Sequence, residues 1–189
     1  TEKGYALANL KGEYLPVVTA DIENGPTKAH HAMSIVAALL LERYNTCKAP
    51  IAVVSMDNCS HNGDKLAAAI GAFAEGWSRN GLADKDFESY IKTSGKVSFP
   101  WTMIDKITPR PSEQIAADLE ALGVEDMQPV ITAKKTYIAP FVNAEKPQYL
   151  VIEDSFPNGR PALEKGFGVY MADRKTVNLA ERMKGTVCL

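Results

Sequence analysis

Cysteine and histidine are scarce in this sequence, with three of each among 189 residues. Cys47, Cys59 and Cys188 lie far apart, and no two have the spacing of a metal knuckle or a redox pair. A disulfide framework is thereby excluded, and a reduced, cytoplasmic protein is expected. His30 and His31 are adjacent and His61 stands apart, so no zinc motif is present. Neighbours on a helix point about 100° apart and do not converge on one metal. A solvated or capping role suits the tandem pair. Long apolar runs are also missing. The most apolar stretch, Ile35 to Leu41, has seven residues, against the roughly 20 that a membrane span needs, and no signal peptide is visible. Charge of one sign is not in excess. The net charge of −2 supplies no electrostatic pull toward nucleic acid or an acidic membrane. The one glycine pattern, Gly166-Phe167-Gly168, lacks a third glycine and leads into a β-like segment, so it is no dinucleotide fingerprint. There is no Walker loop, no convincing serine triad, no marked glycosidase carboxylate pair and no internal repeat.

What is present suits a globular chain with a real core. The hydrophobic fraction is 46% and the charged fraction 23%, ordinary values for such a domain. Residues 1–26 are turn-rich, with Val17-Val18 as a short strand or edge. A helix is expected from Thr27 to about Asn45, with a stripe of Ala29, Ala32, Met33, Val36, Ala37, Leu40 and Leu41. A second follows from about Asn62, where Leu66, Ala69, Ile70, Phe73 and Trp77 recur three or four apart. Phe87, Tyr90 and Ile91 mark a third, and Ile115, Ala116, Leu119 and Leu122 a fourth, with Ser112 as N-cap. Strands are expected at Ile51–Val54, Pro129–Ala133, Tyr149–Ile152 and Gly168–Met171. Thr176–Met183 reads as a last helix, with Val177, Ala180 and Met183 on one side. Both ends read as cut: Thr1 opens the chain without a methionine, and Val187-Cys188-Leu189 closes it on apolar residues.

The segment Ile51–Gly63, IAVVSMDNCSHNG, organises the rest. An apolar run is followed by a dense polar loop and then a helix. In open α/β sheets, ligands lie beyond the carboxyl ends of strands, where this loop would sit. Asn62 or Asp64 is the expected cap of the helix. The plain alternative is that Asp57 and Asn58 only close a turn. Asp105 lies in an apolar setting between prolines. It is exposed, or paired with Lys106 or a backbone donor, or employed in chemistry. Glu181 and Lys184 lie three apart on one helix face. They form either a surface ion pair of little worth or a desolvated lysine fit for proton transfer beside a carboxylate.

Five segments resemble the long-chain mannitol dehydrogenases, a family that includes fructuronate and tagaturonate reductases. They are Thr1–Tyr5, Ser55–Gly63 (Ser-x-Asp-Asn-x-x-x-Asn-Gly), Phe99–Pro109 (Phe-Pro-x-x-Met-Ile-Asp-Lys-Ile-Thr-Pro), Val151–Pro161 (Val-Ile-Glu-Asp-x-Phe-x-x-x-Arg-Pro) and Glu181–Lys184 (Glu-x-x-Lys). They occur in the family's order along the whole chain. The resemblance implies an α/β fold, a Rossmann-like sheet with flanking helices and added strands, forming the latter part of the cofactor domain of a two-domain dehydrogenase. Residues 1–175 would belong to that cofactor domain and residues 176–189 to the start of a helical substrate domain. It implies NAD or NADP as cofactor, no metal, and a sugar alcohol, ketose or hexuronate as substrate, with a secondary alcohol and a ketone interconverted. Lys184 would be the general acid/base, Glu181 its proton path and Asn58 the orienting amide. Ser55, Asp57, Asn58 and Asp105 would meet the cofactor, and Asn58, Asp105 and Lys184 the substrate. The family's glycine-rich phosphate loop would lie upstream of Thr1, and an Asn and a His after Lys184 would lie beyond Leu189. Lys106 stands where an arginine is common, and Met56 and Cys59 replace more usual residues. The competing expectation is a non-catalytic α/β binding or interaction domain.

Overall fold

The computed structural model describes residues 14–105, 108–144 and 148–187, with side chains for 17–104, 108–144 and 148–184. The chain divides into two compact units. One comprises the described residues up to Ile104 together with those from Leu150 on, and the other is Asp105–Tyr149.

In the first unit, helices pack around an apolar core, and Trp101, Met103, Val151, Ile152 and Val177 are buried outside that cluster. Helix α1 (Tyr14–Asn24) leads to a 3-10 turn at Pro26–Lys28, then α2 (Ala32–Thr46), strand β1 (Ile51–Ala52), α3 (Asn62–Arg79) and α4 (Lys85–Lys92). Strands β2 (Val97–Ser98) and β3 (Thr102–Asp105) follow. Ala37, Leu40, Leu41 and Tyr44 of α2, Leu66, Ile70, Phe73, Ala74 and Trp77 of α3, and Phe87, Tyr90 and Ile91 of α4 are buried together. The helical stripe expected on α3 is the one that packs, because apolar residues spaced three and four apart share one face.

Val17-Val18 belongs to α1 and is not a strand. Two β-branched neighbours favour β locally, but Val18 and Ile22, four apart, pack on the core as a helix requires. Pro16, which lacks an N–H, falls in the first turn, where none is needed. The α1 helix is fastened by Asp21, which is 1% exposed. Its Oδ2 accepts the backbone N–H groups of His30 (3.0 Å) and His31 (2.8 Å) and the Ser34 hydroxyl. Its carbonyl accepts Trp77 Nε1–H at 2.9 Å. Helix α2 begins later than expected, at Ala32, and His31 caps it, Nδ1 accepting Met33 N–H at 3.1 Å.

Strands β1 and β2 pair in parallel, Ile51 opposite Val97 and Ala52 opposite Ser98. β1 is shorter than the apolar run suggests. Val53 N–H still bonds the Ser98 carbonyl at 2.9 Å, and the chain then turns into the polar loop. Later in the chain come β6 (Tyr149–Glu153), a 3-10 turn at Ala162–Lys165, β7 (Val169–Ala172) and α6 (Arg174–Val187). β3, β6 and β7 form a three-stranded sheet in that order, and β6 and β7 are parallel. The α6 helix starts where Asp173 accepts Thr176 N–H at 2.7 Å. The hydrogen bonds from Thr176 hold the Asp173 carboxyl below the usual range.

The second unit holds α5 (Glu113–Ala121) and the antiparallel pair β4 (Val130–Ile131) and β5 (Tyr137–Ile138). Ser112 caps α5 as expected, accepting Ile115 N–H at 3.3 Å. No residue of α5 is buried, so its apolar stripe is not a core face within this unit. β4 is exposed and shorter than Pro129–Ala133. No described helix is long and apolar enough to cross a membrane.

Candidate active site

The polar loop after β1 is shaped from within. Ser55 Oγ accepts Asp57 N–H at 3.3 Å, and the Asp57 carbonyl accepts Cys59 N–H at 2.9 Å. Asn62 does not cap α3. Its side chain, in a fully buried residue, points back under the loop. Nδ2 reaches the Asp57 carbonyl (2.9 Å) and Thr102 Oγ1 (2.7 Å), and Oδ1 accepts Thr102 N–H at 3.0 Å. Thr102 Oγ1 in turn donates to the Ser55 carbonyl at 2.6 Å. A short amide that would otherwise cap the helix thus locks β3 to the loop, because buried polar groups go unpaired only at a penalty of about 1–3 kcal/mol each. The preceding residue, His61, takes the cap position with left-handed backbone (φ 55°, ψ 39°) and makes no side-chain cap. Gly63 follows because nothing larger fits: a Cβ there would lie 2.3 Å from the Phe99 carbonyl oxygen.

Helix α6 brings the other half of the site. Its inward face carries Val177, which is fully buried, and then Glu181 and Lys184, at spacings of four and three. Ala180 and Met183 do not define that face; Met183 is 57% exposed. The polar residues turn inward because the loop supplies partners for them. Lys184 Nζ donates to Asn58 Oδ1 and to the Ile104 carbonyl, both at 2.7 Å. The Glu181 carboxylate accepts His61 N–H, at 3.2 Å to Oε1 and 3.4 Å to Oε2. That left-handed residue aims its amide at α6, so the N-terminus of α3 meets a carboxylate, the favourable sign for a helix dipole.

Asn58, Cys59, Ser60, Thr102, Met103, Ile104, Glu181 and Lys184 enclose a cleft of about 100 Å³. Asn58, Glu181 and Lys184, separated by up to 126 residues, are therefore neighbours. Ser55 and Asp57 are not among the residues that line this cleft; they shape the loop from within. Asp105 closes β3, and its side chain lies outside the described residues, as do Lys106 and the first motif, Thr1–Tyr5. Among the described residues no three His, Cys, Asp or Glu side chains gather as a metal site.

A second ring of contacts supports this cleft. Glu153, 7% exposed, ends β6 and accepts Trp101 N–H (3.0 Å) and Arg174 Nε–H (2.9 Å). Trp101 Nε1–H donates to Asp64 at 2.8 Å. The His61 ring stacks on Trp101 with centroids 4.2 Å apart, and the Arg174 guanidinium lies 4.8 Å from the same indole. Asp154, the neighbour of Glu153, instead pairs with Arg160, whose hydrogen bond holds its carboxyl below the usual range. Thr102, Trp101 and Arg174 carry no signal of this role in the sequence. Asn62, expected as a helix cap, is instead the buried tie between the loop and β3. The Ile104 acceptor is a backbone carbonyl, for which no side-chain signal exists.

The chain is 52% identical over its whole length to the D-mannonate oxidoreductase of Thermotoga maritima, of which it covers 35%. It is 32% identical over 93% of its length to the polyol:NADP oxidoreductase of Gluconobacter oxydans, covering 33% of that protein. Among solved structures, Pseudomonas fluorescens mannitol 2-dehydrogenase, in a ternary complex with NAD and D-mannitol, superposes with a TM-score of 0.65 at 30% identity, over 93% of this chain and 32% of that one. The chain thus spans about a third of the length of these relatives. Residues 5–165 match the model of the mannitol dehydrogenase Rossmann domain, and the chain belongs to the mannitol dehydrogenase family.

Proposed function

We propose that this chain is the catalytic edge of the cofactor domain of an NAD(P)-dependent oxidoreductase. The full protein interconverts a secondary alcohol and a ketone on an open-chain sugar acid of the D-mannonate kind. The half-identical relative from Thermotoga maritima favours a sugar acid over an unmodified polyol. The observation that carries the reading is the pair of 2.7 Å bonds from Lys184 to Asn58 and to Ile104, at the mouth of a cleft.

The chemistry follows from the residues. In the oxidation direction, the proton of the substrate hydroxyl passes to Lys184 as the carbon gives up its hydride, and in reduction it returns. The bound dinucleotide supplies the hydride acceptor or donor. Asn58, its Oδ1 engaged by Lys184, presents Nδ2–H to the substrate oxygen and favours charge developing there. The Ile104 carbonyl fixes the lysine from the other side. Glu181 forms the cleft wall through which the proton leaves. None of these steps calls for a metal.

The residues present suit the reacting end of such a cofactor. The loop beyond the carboxyl end of a parallel strand offers Ser55, Asp57 and Asn58 as donors and acceptors for a ribose and carboxamide. A cleft of about 100 Å³ admits a carbinol centre, whereas whole-ligand sites measure about 300–1,000 Å³. The larger part of both ligands would rest on chain beyond this piece.

The test is nicotinamide absorbance in the full-length protein with D-mannonate, fructuronate and polyols. Lys184→Ala should lower kcat by about 10²- to 10⁴-fold while dinucleotide binding persists. Activity near that of the parent protein would refute the assignment.

A further inference from the structure

We propose that His61 is the outer member of the proton path, passing protons between Glu181 and solvent. This rests on the reading of Lys184 and Glu181 given above. Glu181 lines the cleft with Lys184, yet its side chain is only 8% exposed. Once substrate fills the cleft, a carboxylate this little exposed exchanges protons with bulk water through a carrier. The His61 side chain is 52% exposed, and its Nε2 lies 3.8 Å from Glu181 Oε2. One water bridges that distance by hydrogen bonds. Imidazole suits the task because it accepts a proton on one nitrogen and releases one from the other.

The ring is held in place. The stack on Trp101 fixes its plane, and the His61 amide, bonded to the same carboxylate, fixes its root. The charged groups around it are Glu181 from α6, and Asp64 and Arg174, which meet the Trp101 indole; Lys65 follows on α3. In substrate oxidation the proton moves from Lys184 to Glu181 across the cleft, then to the imidazole, and the imidazole releases its other proton to water. Reduction runs the same transfers backward, so protons balance in both directions.

The experiment uses the full-length protein with two variants. His61→Phe keeps a ring for the stack, and His61→Asn suits the left-handed backbone, which Asn adopts readily. Both retain the amide bonded to Glu181. Single-turnover rates avoid masking by product release. Expected are a fall of about tenfold in the hydride-transfer rate with dinucleotide affinity unchanged, and a saturable recovery on adding imidazole buffer. A merely structural role would give no such recovery. Rates within about twofold of the parent, or a loss that imidazole leaves untouched, overturn the relay. If Lys184→Ala is inactive while both His61 variants are fully active, the relay alone fails. If Lys184→Ala is active, the site reading fails with it.

Discussion

Asp21 and Glu181 are carboxylates of low exposure in the same compact unit, and they do opposite things. Asp21 is saturated. Two backbone amides, a serine hydroxyl and the His30 ring nitrogen, 3.3 Å from Oδ1, surround it. Burial pushes its carboxyl up, and the hydrogen bonds from Ser34, His31 and His30 outweigh that and leave it below the usual range. Glu181 has one backbone amide shared between its two oxygens, a cleft on one side and a half-exposed imidazole on the other. A carboxylate whose acceptors are all filled is a fastening. One left with room and a titratable neighbour can exchange a proton.

The largest effect that would break this contrast lies at Asp21. Asp21→Ala strands the His31 amide in a buried setting and the His30 amide in a partly buried one, while the Ser34 hydroxyl keeps the His31 carbonyl as acceptor at 2.8 Å. The loss should be about 3 kcal/mol or more, read as a lower denaturation midpoint of the full-length protein, since each unpaired buried group costs about 1–3 kcal/mol. A shift under about 1 kcal/mol would mean that water replaces the carboxylate and that the saturation is unimportant.

The acid limb of stability sharpens the same point. Asp21 is better ionised in the folded chain than in the unfolded one, so its contribution is full above the unfolded carboxyl value of about 3.9 and disappears as pH falls through the lower, folded value. Burial lowers the His31 pKa, with Asp21 opposing it. The neutral ring that caps α2 is thus favoured by folding. Its contribution is full above about 6.5 and is lost as pH falls through its own depressed folded value. Stability should therefore decline in two steps on acidification, His31 first. In Asp21→Ala the second step should shrink but not vanish, since the Asp154 and Asp173 carboxyls are also held below the usual range, and a pH series of denaturation midpoints would show it.

The two carboxylates were unequally legible in the sequence. Nothing in the sequence marks Asp21, because two of its four partners are backbone amides and the residues around it read as turns and a short strand. Glu181 stood out through a motif. The α3 stripe, the Ser112 cap and the strand near Val169 could be read because they depend on local spacing and capping chemistry. The length of β1, the burial of Asn62 and the left-handed His61 could not, since each is decided by partners about 40 to 120 residues away. The same holds for the inward face of α6. Hydrophobicity selected Ala180 and Met183, whereas polar partners on the loop select Glu181 and Lys184. Asn58 and Lys184 were named as a pair by resemblance, and the structure supplies their contact.

The smallest expected stability change is also the most discriminating. Glu181→Gln keeps an oxygen to accept His61 N–H, and the side chain remains close to isosteric. What it removes is the capacity to take up and release a proton, and a charge at the start of α3. Exchange of a charged for a neutral acceptor and loss of the helix-dipole contact together amount to about 1 kcal/mol. Hydride transfer should nevertheless slow by about tenfold, because Lys184 then loses its exit. If Glu181→Gln instead lowered the denaturation midpoint as much as Asp21→Ala, with hydride transfer unaffected, both carboxylates would be fastenings. The cleft would then be a gap between packed elements and not a path. A small stability change with a slow reaction would separate the two roles on chemistry that burial alone does not distinguish.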